Sequence, residues 1–281
     1  MKFLRVGSLN NERPAVIDEN GIIRDLSSLI PDLNPDTINQ NLIDITKEKD
    51  LSKLPEIDKN LRIGPCISKP EKFIGIGLNY SAHAKETDAN APKEPIIFFK
   101  AVSSISGPND YVCLPKNSTK SDWEVELGVI IGKKTKNIPL NKSMDHIFGF
   151  CIVNDVSERE YQLEKSSGQW DKGKAFDTFG PIGPYIVTKD EIKDVQNLNL
   201  ELKLNGQIMQ NGNTKEMIFG VTHLVSYISF FMTLKPGDII TTGTPPGVGM
   251  GRNPQVFLKN GDKMELKVDC LGYQRQIVKS H

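Results

Sequence analysis

Ser121-Asp122-Trp123-Glu124-Val125-Glu126-Leu127-Gly128-Val129-Ile130-Ile131-Gly132 is the stretch on which the reading of this chain turns. With a period of two, Trp123, Val125, Leu127, Val129 and Ile131 fall on one face, and Glu124, Glu126 and Gly128 fall on the other. That alternation predicts a strand with one buried, apolar side. Because a strand rises about 3.3 Å per residue, the two carboxylates stand roughly 7 Å apart at the backbone, close enough for their side chains to converge on one cation. Two like charges at that spacing need a partner. An amphipathic edge strand with both glutamates in water is the plainer alternative.

Downstream, Ile147-Phe148-Gly149-Phe150-Cys151-Ile152-Val153 is a nearly continuous apolar run, which reads as a buried strand ending at Asn154-Asp155. Val156 to Glu164 has helical propensity, so Asp155 stands where a strand gives way to a polar helix, either as a cap or as a third oxygen ligand. Upstream, Lys72 to Gly77 predicts a short strand, followed by a short helix capped by Asn79 or Ser81. On it His83 and Glu86 are three apart and share a face. A carboxylate bonded to one imidazole nitrogen orients the ring and leaves the other nitrogen to take a proton from water; an exposed, solvated pair is the alternative. Pro95 to Lys100 predicts another strand.

The chain from Ser166 to Gly183 predicts a long glycine-punctuated loop, with Lys172 solvated and Lys174 inside it. Asn205-Gly206 is a hairpin signal between Leu200–Leu204 and Gln207–Gln210. Met217 to Leu234 is apolar nearly all round, predicting a helix buried between layers with His223 as a core histidine. Ile239 to Thr242 predicts a strand leading into Gly243-Thr244-Pro245-Pro246-Gly247-Val248-Gly249, a loop that exposes backbone amides and lacks the ending of a phosphate loop. A last hairpin is expected from Gln255–Leu258 and Lys263–Val268 around Asn260-Gly261-Asp262. Residues 1–68 read as a small separate domain of short strands and a polar, partly helical stretch, with residues 69–281 as the main domain.

Lysine plus arginine equal aspartate plus glutamate at 35 each, so no basic excess drives nucleic-acid binding. The amino terminus lacks a long apolar signal core, and the Met217–Leu234 run is interrupted by Gly220, Thr222, His223, Ser226 and Ser229, so no membrane segment is expected. Cys66, Cys113, Cys151 and Cys270 lie far apart, which suits a reduced, cytoplasmic chain with incidental thiols.

Five blocks occur in order: Gly77 to Glu86, Asp122 to Leu127, Asn154 to Ser157, Gly173 to Asp177, and Gly243 to Gly249. Together they resemble the fumarylacetoacetate hydrolase family over roughly residues 70–275. The resemblance implies a β-rich α+β fold, a mixed β-sheet roll preceded by a small amino-terminal domain, and a homodimer. It implies Glu124, Glu126 and Asp155 as ligands of a divalent metal, His83 and Glu86 as a water-activating pair, and Lys174 as the site lysine. Three carboxylates without thiolate or imidazole make a hard-oxygen site suited to Mg²⁺ or Mn²⁺, with Ca²⁺ also acceptable.

The implied substrate is a small-molecule 2-keto or 2,4-diketo acid, whose carboxylate and adjacent ketone oxygen suit such a cation. The expected reaction is hydrolysis of a C–C bond with release of pyruvate. Thr244 and the amides of residues 243–249 are candidates to hold the substrate carboxylate, with Tyr80 and Gln169 as further contacts. The segment Gln169 to Lys174 resembles family members acting on diketo-deoxy sugar acids, some of them labelled ureidoglycolate lyases. One scaffold in this family supports several reactions, so oxaloacetate decarboxylation, hydration or isomerisation of a 2-keto acid, and a non-catalytic metal-binding scaffold stand as alternatives. The polar segment 80–94 is expected to act as a lid.

Overall fold

The computed structural model describes residues 1–86 and 90–280. Among them, the glutamate strand runs Val125–Ile131 in the middle of a ten-stranded sheet. Its neighbours are Ile147–Asn154 on one side and Ile239–Thr241 on the other, both antiparallel. Beyond Ile239–Thr241 come Phe73–Gly77, parallel to it, and the edge strand Ile96–Lys100. Beyond Ile147–Asn154 come Gly180–Thr188 and then the amino-terminal strands Lys2–Val6, Arg13–Ile17 and Ile23–Asp25. The amino-terminal segment thus extends the large sheet, through Lys2 opposite Val187 and Phe3 opposite Ile186. A second, five-stranded sheet contains Asn199–Leu204, Gln207–Asn213, Lys263–Val268 and Gly272–Ser280. Antiparallel and parallel pairs in both sheets make this the mixed-sheet, strand-rich α+β fold that was expected.

The predicted alternation along Val125–Ile131 is present, but both faces are buried. Val125, Leu127, Val129 and Ile131 pack against Leu200, Leu202, Met264 and Leu266 of the second sheet. On the other face, Ile130 packs with Phe3, Leu26, Leu33 and Leu42 of the amino-terminal segment. A central strand covered on both sides carries no solvated edge, so the edge-strand reading of Glu124 and Glu126 fails. The run also breaks at Trp123-Glu124: Ser121–Asp122 pairs separately with Ser157–Glu158.

Asn205 and Gly206 both take positive φ, at 52° and 82°, as the tight hairpin between Asn199–Leu204 and Gln207–Asn213 requires. The last hairpin departs from expectation. Lys263–Val268 pairs with Gly272–Ser280, whereas residues 255–259 form no strand and run past Ser121, whose carbonyl accepts the Leu258 N–H. The apolar helix is shorter, Val221–Phe231, and lies on the outside. Phe230 and Phe231 are exposed, and His223, expected in the core, is exposed and stacks between Phe219 and Tyr227. Among the described residues no helix is long and apolar enough to cross a membrane. Of the expected lid, Ser81–Glu86 is helical, and residues 87–89 lie outside the described residues.

Candidate active site

The register of two neighbouring strands brings the acidic residues together. Val125 lies opposite Asn154 and Glu126 opposite Val153, so the next step of the ladder sets Asp155 beside Glu124. The Asp155 N–H donates to the Glu124 carbonyl at 2.9 Å, and the Glu124 N–H donates to Asn154 Oδ1 at 3.2 Å. Asp155 does not cap a helix; the turn at Glu160–Glu164 starts later. Glu124, Glu126 and Asp155 are all buried, and each offers an oxygen within 4.8 Å of the others.

Buried carboxylates persist only with partners. Lys174 Nζ bridges two of the three, at 2.6 Å from Glu124 Oε2 and 2.7 Å from Asp155 Oδ2. It sits at the end of a short helix, Asp171–Lys174, where a loop was expected, while Lys172 is solvated as expected. Lys100 Nζ lies 2.7 Å from Asp155 Oδ1, and Arg159 joins Glu124 at 2.7 Å to Asp122 at 2.9 Å. Burial works to raise the Glu124 carboxyl, but the charges of Lys174 and Arg159 outweigh it and hold the group well below the usual carboxylate range.

Glu126 is different. Among the described residues it has no ion pair to a basic side chain; its Oε2 accepts from the Thr241 hydroxyl and from the Gly243 N–H at 2.7 Å. Burial first, then the charges of Asp155 and Glu124, push its carboxyl well above the usual range. Among the described residues, Glu124, Asp155 and Asp122 are ion-paired with Lys174, Arg159 and Lys100, which leaves Glu126 as the carboxylate of the four without a basic partner. An all-oxygen donor set with that deficit fits a hard divalent cation such as Mg²⁺, Mn²⁺ or Ca²⁺.

His83 and Glu86 meet as the helical spacing predicts, with Nδ1 2.8 Å from Oε1. The pair is largely buried, not solvated. Glu86 is itself held by the Gly247 N–H, 2.8 Å from Oε2. Gly247 has φ of +109°, and a Cβ there would lie 2.0 Å from the Met209 carbonyl oxygen, so glycine is required. His83, Glu124, Glu126, Lys174 and Thr244 line one cavity of about 120 Å³, walled by Phe98 and Trp170. A larger cavity of about 1610 Å³, between the amino-terminal segment and residues 102–113, contains none of the trio.

The expected substrate contacts fare unevenly. Thr244 lines the cavity, but its hydroxyl donates to the Val125 carbonyl at 2.9 Å and accepts from Gln210 Nε2 at 2.7 Å. Three of the loop amides expected to hold a substrate carboxylate instead serve side chains: Gly243 serves Glu126, Gly247 serves Glu86, and Gly249 serves Asp122, which also accepts from the Met250 N–H just beyond the loop. Tyr80 is buried and off the cavity wall, its hydroxyl without a partner among the described residues, and burial pushes its phenol far up. Gln169 is exposed and outside the cavity; Gln162 lines it instead, accepting from Arg159 Nη1 at 2.9 Å. Arg159 and Gln162 escaped the sequence reading. The signal available was their spacing, four and seven residues after Asp155 on a segment returning from a buried strand.

A mixed-sheet α+β fold thus carries a buried carboxylate trio beside a His–Glu pair. The family model of the fumarylacetoacetate hydrolase C-terminal domain matches residues 72–279, and the chain belongs to that family. It is 53% identical over 277 residues, 98% of each chain, to a protein from Burkholderia ambifaria whose name makes it a hydrolase by inference. It is similar to the manganese and pyruvate complex of maleylpyruvate hydrolase from a Sphingobium strain, with 28% identity, 100% and 99% of the two chains covered and a TM-score of 0.83. A Mycobacterium abscessus protein named as a probable 2-hydroxyhepta-2,4-diene-1,7-dioate isomerase shares 30% identity over 100% and 99% of the chains, with a TM-score of 0.85.

Proposed function

We propose that this chain is a divalent-metal-dependent hydrolase that cleaves the C–C bond of a 2,4-diketo acid, an acylpyruvate or a related diketo-deoxy sugar acid, to give pyruvate and a carboxylic acid. The observation that carries the reading is that His83, backed by Glu86, faces the same small cavity as Glu124, Glu126 and Asp155's partner Lys174. The likeness to a maleylpyruvate hydrolase solved with manganese and pyruvate supports both the reaction and the metal.

A hard divalent cation held by Glu124, Glu126 and Asp155 would supply Lewis-acid polarisation of the substrate's 2-keto acid end. The chain's own groups do the rest. With Glu86 accepting from Nδ1, the other imidazole nitrogen of His83 takes a proton from water, whose oxygen bonds to the C4 carbonyl carbon. The C3–C4 bond then breaks with its electron pair going to C3, which takes the proton back from the His83 imidazolium to give pyruvate, while C4 leaves as the carboxyl carbon of the second product. The Lys174 ammonium, kept charged because Asp155 and Glu124 outweigh the opposing effect of burial, offers its positive charge to the oxygen where negative charge develops. Phe98 and Trp170 limit water around the reacting atoms.

The test is a panel of acylpyruvates, diketo-deoxy sugar acids and oxaloacetate with Mg²⁺ or Mn²⁺, followed by pyruvate release. Pyruvate plus the matching acid from a diketo acid supports the proposal; pyruvate from oxaloacetate alone replaces it with decarboxylation. The likeness to the Mycobacterium abscessus isomerase favours a second reading, isomerisation of an unsaturated 2-hydroxy acid on the same residues. A spectral change without any C–C cleavage would select that reading. Cation binding with no turnover of any acid would leave a non-catalytic scaffold.

A further inference from the structure

Lys100 has no part in the reaction above, yet its side chain is wholly buried at the end of the edge strand Ile96–Lys100. Taking an ammonium out of water is costly unless it is well paired, so its partners show what it is for. There are three. Its Nζ lies 2.7 Å from Asp155 Oδ1 as an ion pair, donates to the Lys174 carbonyl at 2.7 Å, and donates to the Val156 carbonyl at 3.2 Å. Every one of these belongs to the site: a member of the trio, the residue directly after it, and the backbone from which the Lys174 side chain returns to Glu124 and Asp155.

We infer that Lys100 is a positioning residue of the cation site, fixing Asp155 through Oδ1 so that Oδ2 turns toward Lys174 and Glu124, and fixing the Lys174 backbone behind its ammonium. The inference rests on the reading of Glu124, Glu126 and Asp155 as a cation site. Charge and position make opposite forecasts for Lys100. As a bare positive charge it repels a dication, so its removal would tighten cation binding. As a support it orients a ligand, and loss of such an outer partner typically costs about 10–100-fold in metal affinity.

The experiment is an equilibrium Mn²⁺ titration of the full chain without substrate, comparing wild type with Lys100→Met and Lys100→Gln. Methionine removes charge and donors, and glutamine restores two N–H donors without charge. We expect the Met variant to bind Mn²⁺ about 10–100-fold more weakly than wild type, and the Gln variant to recover part of that loss. Unchanged or tighter binding in the folded Met variant overturns the inference, as does equal weakening in both variants. If neither variant folds by circular dichroism, Lys100 is a folding residue and the inference fails. No Mn²⁺ binding by wild type would instead refute the reading of the trio itself.

Discussion

Lys174→Met keeps the length of the side chain and removes the ammonium that bridges Glu124 and Asp155. Unit charges at the observed 2.6 and 2.7 Å attract by about 6 kcal/mol per pair at an effective dielectric constant of about 20. Desolvation of each buried ion takes back several kcal/mol. The net cost of removing one partner from a buried pair is about 3–5 kcal/mol, because the surviving charge stays buried. Here Arg159 remains 2.7 Å from Glu124 and Lys100 2.7 Å from Asp155, so the lower end applies, about 3 kcal/mol. For a chain somewhat above 250 residues that lowers Tm by roughly 6 °C. The assay is thermal unfolding followed by circular dichroism in EDTA, repeated with saturating Mn²⁺. The deficit should shrink with the ion, which supplies positive charge to the same carboxylates. A Tm within about 1 °C of wild type in EDTA would refute the reasoning, since it would mean that the buried charges do not depend on Lys174.

Glu126→Gln should raise Tm in EDTA at neutral pH and lose the Mn²⁺-dependent rise. The sign follows from its raised carboxyl: such a group stabilises the fold below its unfolded value and loses that contribution as pH rises, so a permanently neutral isostere is favoured at neutral pH. A fall in Tm would contradict this. His83→Ala should lower kcat/KM for a diketo acid by about 10²–10⁴-fold while leaving the Mn²⁺-dependent rise in Tm intact. Loss of both would make His83 a structural residue. Gly247→Ala, with its Cβ forced 2.0 Å from the Met209 carbonyl oxygen, should displace the amide that holds Glu86 and lower kcat/KM, with a stability cost of about 1–3 kcal/mol. Unchanged kinetics would show that Glu86 does not need this anchor.

The features legible in the sequence were those set by local periodicity. Alternation along Val125–Ile131, the apolar run ending at Asn154-Asp155, the Asn205-Gly206 turn and the three-residue spacing of His83 and Glu86 all depend on near neighbours. Burial of the Glu126 face did not, for it depends on the amino-terminal segment folding over Ile130. An apolar helix does not state which of its faces finds a partner, and so Val221–Phe231 lies outside with Phe230 exposed. Lys100 closed an unremarkable apolar strand, and its role appears only once Asp155 and Lys174 converge on it from 55 and 74 residues away. Likewise the amides of residues 243–249 were legible as exposed donors, but not that Glu126, Glu86 and Asp122 would claim them.

Equilibrium Mn²⁺ binding to wild type and to Glu126→Gln, read by calorimetry without substrate, probes the carboxylate trio most directly. One ion per wild-type chain is predicted, with affinity lost in the variant by more than the roughly 10–100-fold typical of an outer partner. Wild type that takes up no ion, or a variant that binds as tightly as wild type, would contradict the account.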